Sequence, residues 1–172
     1  MKNIIAVIIV LLSFGCQKDP EINDIVRNKK ITAQIDKFVE DLGNGNPEKF
    51  IMVSGISIPK EKRAEILFTN NKPVVVKENF FKREDDLENG RYGYFKYKGY
   101  EFLVSEKLKD IFQLDYKDFN RMKEHFIIKD HYPSMEEAMK QKWKIMYVKY
   151  DMANDSVDLS RISEMSMPGS AN

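Results

Sequence analysis

A chain of 172 residues with a single cysteine, Cys16, has no intrachain disulfide to brace it. It has two histidines, His125 and His131, six positions apart across an expected helix end, so they do not share a face. No His-Glu-x-x-His pattern accompanies them and no second cysteine is at hand, so the pair reads as polar surface rather than zinc ligands. The eight glycines are scattered and form neither a phosphate-cradling loop nor a dinucleotide fingerprint. No Gly-x-Ser-x-Gly elbow is present, and no catalytic residue or cofactor is expected. An excess of one charge is also missing: 28 Lys and Arg stand against 27 Asp and Glu. Without a basic surplus to neutralise phosphates, nucleic acid is not an expected partner. Two acidic groups, Glu84-Asp85-Asp86 with Glu88 and Asp151/Asn154/Asp155/Asp158, depart from the calcium-loop pattern and read as a solvated connection and a turn.

What is there begins at the amino terminus. Lys2 precedes an unbroken apolar run over residues 4–12, followed by small or neutral residues and the cysteine. That order is a secretory signal, and the run is too short to cross a bilayer, which takes about 20 apolar residues. Leu12-Ser13-Phe14-Gly15-Cys16 resembles the lipobox of bacterial lipoproteins. The resemblance implies cleavage between Gly15 and Cys16, lipidation of the Cys16 thiol, and a membrane held through that lipid. The segment after it, Gln17-Lys18-Asp19-Pro20-Glu21, lacks the aspartate that resembles an inner-membrane retention signal. It is similar to the Lys-plus-acidic export signal of surface-displayed lipoproteins. The expected location is therefore the outer membrane, facing outward.

Three parts follow: signal 1–15, tether 16–21, and one α+β domain over 22–162, with residues 163–172 as a tail. The period of about four in Ile31, Ile35, Phe38, Val39 and Leu42 predicts a helix over 22–42 that stops at Gly43. The period then drops to two. Strands are expected over 49–58, 64–68 and 74–76, followed by a hairpin of 91–97 with 100–105 around Lys98-Gly99. The order suggests an N-terminal helix packed on an antiparallel meander sheet, similar in outline to a cystatin-like arrangement, a likeness that carries no function. Further short helices are expected near 108–112, 115–126 and, from the capping-box form at Ser134, 134–142. A C-terminal hairpin of 143–152 with 157–162 closes the domain.

The hairpin aromatics are the candidate functional surface. Tyr92, Tyr94 and Lys96 alternate onto one strand face, and a solvated tyrosine suits a protein interface or a sugar-stacking platform. Cross-strand tyrosine pairs that only stabilise the sheet are the plainer alternative. Trp143 is a third candidate. The leading expectation is a non-enzymatic protein-binding or assembly module engaging an envelope protein, in a narrower form an inhibitor or immunity-type protein. The runner-up is a binder of glycans or small ligands through Tyr92, Tyr94 and Trp143. An envelope hydrolase, with His125 or His131 beside a serine and a carboxylate, is the third.

Overall fold

The computed structural model describes residues 22–26, 28–77, 87–131, 134 and 142–166. Gly15, Cys16, the tether, residues 84–86, the helix expected after Ser134 and the end of the tail lie outside them. Among the described residues no helix is long and apolar enough to cross a membrane.

The helix expected over 22–42 is two helices, α1 (Ile22–Ile25) and α2 (Lys29–Leu42). Between them Val26 bridges Phe112, and the Gln113 N–H donates to Ile25 O at 2.7 Å. Asn28, with extended backbone, then restarts the helix: its Oδ1 accepts from Lys30 N and Ile31 N. The apolar stripe begins only at Ile31, after the break, although Ile25 and Val26 face the same core. Gly43, at φ 71°, ends α2, and its N–H donates to Val39 O.

The protein is a mixed α+β fold. Its strands are β1 (Phe50–Ile58), β2 (Arg63–Thr69), β3 (Val74–Val76), β4 (Arg91–Tyr97), β5 (Tyr100–Ser105), β6 (Lys117–Asp118), β7 (Ile127–Lys129), β8 (Lys142–Asp151) and β9 (Ser156–Ser166). Seven form one sheet in the order β6-β4-β5-β1-β2-β8-β9, and β3 pairs with β7 in a separate ribbon. The sheet is not the expected meander. β1 lies parallel to β5, with Met52 opposite Leu103, while every other pair in the sheet is antiparallel.

Asn70 stands where the chain leaves β2. It is the one buried polar residue among those described, and its amide donates to Glu48 O and Phe50 O while Asn46 donates to its Oδ1. This knot turns the chain away from β2. Pro73, which has no N–H for a ladder, leads into β3 beside β7 instead. Gly55, at φ 142°, is required where β1 meets β2, since a Cβ there would lie 2.0 Å from Glu65 O.

The helices expected over 108–112 and 115–126 are 3-10 turns at Glu106–Leu108, Phe119–Arg121 and Lys123–His125. Lys117 and Asp118 are taken up as β6 against β4, so Asp115 cannot open a helix there. β9 continues through Ser166, so residues 163–166, read from sequence as tail, are paired with 142–145 of β8.

The two sheet faces differ. The inner face carries the larger core: the apolar side of α2 shares it with Val53, Ile66, Phe68, Phe102 and Met146, all fully buried. Polar ties hold α2 in place: Tyr97 Oη donates to Asp36 at 2.9 Å, Lys98 pairs with Asp36, and Lys144 with Asp41. The outer face has a second core over one half only, where Phe119, Met122, Phe126 and Val75 cover Phe50, Met52, Tyr92 and Leu103.

Candidate functional site

Cross-strand register defines the outer face, because directly opposed residues of an antiparallel pair point to the same side. On β4, Tyr92 and Tyr94 stand opposite Ser105 and Leu103. On β2 and β8, Leu67 stands opposite Tyr147, Glu65 opposite Lys149, and Thr69 opposite Ile145. On β9, Leu159, Arg161 and Met165 stand opposite Lys149, Tyr147 and Trp143.

Tyr92 is not on a solvated surface as expected. It is 3% exposed, packs edge-on against Phe126, and donates its hydroxyl proton to Leu87 O at 2.8 Å. Burial pushes its phenol up to about 12. The physical reason is the cover: the run 115–129 folds back over the outer face at this end, so both sides of the hairpin are core. Tyr94, next on the same face, marks the edge of that cover. Its half-buried ring stacks on His125, centroids 4.1 Å apart at 25°. Burial holds the His125 imidazole below its ordinary pKa, partly countered by Glu124 and Glu101, so it is neutral at pH 7.

Beside this stack a groove of about 340 Å³ is lined by Tyr94, Met122 and His125 with Asp115, Lys117, Arg121 and Glu124. No serine or cysteine stands in that lining. His131 lies beyond β7, exposed and outside the groove. Sequence reasoning missed one pattern, the Ser-x-x-Lys spacing of Ser57 and Lys60. It spans a strand end and a 3-10 turn rather than one helix, and Ser57 Oγ donates to Asp110 at 3.1 Å. Among the described residues no three His, Cys, Asp or Glu gather as a metal site. The C-terminal acidic group serves the β8–β9 turn: Asp151 accepts from Ala153 N and Asn154 N, and Asp155 accepts from Asn28 and Tyr150.

Among the described residues, neither core cluster covers the other half of the outer face. Ile56, Leu67, Trp143, Ile145, Tyr147, Leu159 and Met165 belong to neither core cluster. Ile56 is 49% exposed, and Leu159 and Met165 are 45% exposed. Charged groups stand within and around this area, with Glu65 and Lys149 between Ile56 and Leu159 in the register. Glu65 lies 3.9 Å from Lys149, and Arg161 stands opposite Tyr147. Apolar and charged side chains mixed on one exposed face suit a protein interface. Trp143 belongs to this half, well apart in sheet order from Tyr94 on β4. The sequence candidates therefore divide: Tyr92 in the core, Tyr94 at the covered edge, Trp143 on the open half. Ile56, Leu67 and Leu159 were missed because single apolar residues in alternating strands read as core until the other layer is known. Comparison with protein-family models, characterised proteins and solved structures finds no match to this chain.

Proposed function

We propose that the chain is an envelope lipoprotein, anchored through Cys16 in the outer membrane and facing outward, whose domain acts as a non-enzymatic protein-binding or assembly module. One observation carries the binding role: the gathering of exposed Ile56, Leu159 and Met165 with half-buried Trp143, Ile145 and Tyr147 on one open half-face. Large apolar side chains gathered on one exposed face among charged groups are costly to leave in water and mark a docking surface. The anchor rests on the signal and lipobox-like run, and attachment by more than one acyl chain makes membrane association stable. A tethered domain of this kind suits an inhibitor or immunity-type protein, held where an incoming protein arrives. In this reading α2 braces the inner face across the sheet, and the β4–β5 and β8–β9 hairpins carry the two ends of the outer face.

A second reading, a glycan or small-ligand binder, is favoured by the Tyr94–His125 stack, which lines a groove rich in hydrogen-bonding side chains. Both readings are tested with the full chain immobilised in detergent and exposed to envelope proteins and oligosaccharides. Ile145→Lys abolishes protein capture with an unchanged unfolding midpoint if the open half is the interface. Loss with Tyr94→Ala alone transfers the role to the groove. Capture indifferent to both substitutions contradicts the proposal.

A further inference from the structure

The large sheet ends on very unequal strands. β6 at one edge has two residues, whereas β9 at the other has eleven. An edge strand presents unpaired N–H and C=O groups, and proteins usually blunt it with proline, lysine, a bulge or short length. β9, with the sequence SVDLSRISEMS, has neither proline nor lysine. Its one irregularity falls near the start, at the register shift that leaves Asp158 between the partners of Lys149 and Tyr150. From Leu159 onward the strand is regular. No described strand pairs with its outer edge.

We propose that β9 pairs antiparallel with β9 of a second copy of this chain, about a two-fold axis through Ile162 normal to the sheet. The register follows from the residues. An axis between residues would oppose outer-face to inner-face side chains, so the axis passes through one residue. Centred on Ile162, Leu159 of each copy stands opposite Met165 of the other, on the outer face. These are the two large apolar side chains of β9 that are most exposed. Arg161 then faces Ser163, Ser160 faces Glu164, and no like charges oppose. Centring on Arg161 sets two guanidinium groups against each other, and centring on Ser163 sets Met165 against Arg161. The Ile162 register alone satisfies both apolar residues without a charge conflict. Such an interface is isologous, as a closed two-fold dimer requires. It places both open half-faces on one side of a continuous sheet, both α2 helices on the other. The pairing goes beyond the partner reading above: it shares Leu159 and Met165 with that face, but its basis is the unpaired edge of β9, and its readout, the mass of the chain alone, requires no partner protein.

The test is the mass of the full chain in nonionic detergent by sedimentation equilibrium. Expected are a dimer for the wild type and a monomer for Leu159→Glu and for Met165→Lys. The double variant returns to a dimer, through two Glu–Lys pairs that only this register creates. An equimolar mixture of the two single variants forms a heterodimer. A monomeric wild type, single variants as dimeric as the wild type, or a double variant that stays monomeric would each overturn the proposal. Hydrogen exchange on the unaltered chain gives a second reading that depends on no variant. Amides within residues 159–165 gain protection as concentration rises, and protection that does not change with concentration contradicts the pairing.

Discussion

The two halves of the outer sheet face are built from the same kind of strand and end in opposite conditions. Over β4, β5 and the start of β1, Tyr92, Leu103, Phe50 and Met52 are sealed beneath Phe119, Met122 and Phe126. Over β2, β8 and β9, residues of the same character, Leu67, Ile145, Tyr147 and Leu159, belong to no core cluster. Strand chemistry does not separate them. The difference is made by where the chain goes after Asn70 and after Asp118, a matter of topology rather than composition. Apolar side chains that the fold has a layer to cover supply stability. Those it leaves half-exposed cost solvation and are retained on the half we assign to binding.

The largest break in this comparison comes from opening the cover. Phe119→Ala removes a buried ring from the second core and costs about 3–5 kcal/mol. Urea unfolding measures it, and the midpoint falls sharply. Ile56→Thr, at the opposite half, stays within about 0.5 kcal/mol of the wild type. Equal losses at both positions would mean the two halves are equally core.

Asn70→Ala comes next. It strips the Glu48 and Phe50 carbonyls of their donor and removes the acceptor used by Asn46. The expected cost is about 1–3 kcal/mol. Hydrogen exchange sharpens the result: β3 and β7 lose protection before β8 and β9, because the knot directs the chain toward the covered half.

Tyr92→Phe is milder. The ring stays packed, and only the bond to Leu87 O is lost, about 1 kcal/mol by thermal or urea unfolding. A tyrosine on a solvated surface would show no loss.

The smallest effect is a pH dependence at the boundary. The folded pKa of His125 lies below its unfolded value because burial disfavours the imidazolium. The unfolded chain therefore binds more protons as pH falls below about 6.5, and stability declines from there down toward the folded pKa. His125→Gln flattens that part of the profile. The carboxylates of Asp36, Asp151 and Asp155, held low by their hydrogen bonds or ion pairs, act only at more acidic pH.

Much of the scaffold was legible in the residues. The stripe Ile31, Ile35, Phe38, Val39, Leu42 and the stop at Gly43 give α2 its face and end, since both signals are local. The alternation in β1 correctly separated Phe50 and Met52 from Ile51 and Val53. Three things were not legible, each for a non-local reason. Asn28 looks like any polar residue until Tyr150 and Asp155 meet its amide. The parallel contact of β1 with β5 joins residues 51 positions apart, and no period in the sequence encodes it. Tyr92 and Tyr147 occupy equivalent alternating positions, and only the layer above one of them distinguishes core from surface.

The most direct measurement uses Trp143, the sole tryptophan, which lies on the open half. Its fluorescence is followed in the full chain with acrylamide as quencher, before and after adding envelope proteins. The account predicts ready quenching in the free chain, then a blue shift and reduced quenching on addition, both absent in Ile145→Lys. Emission and quenching that stay the same with envelope proteins present would contradict the assignment of the open half as the binding surface.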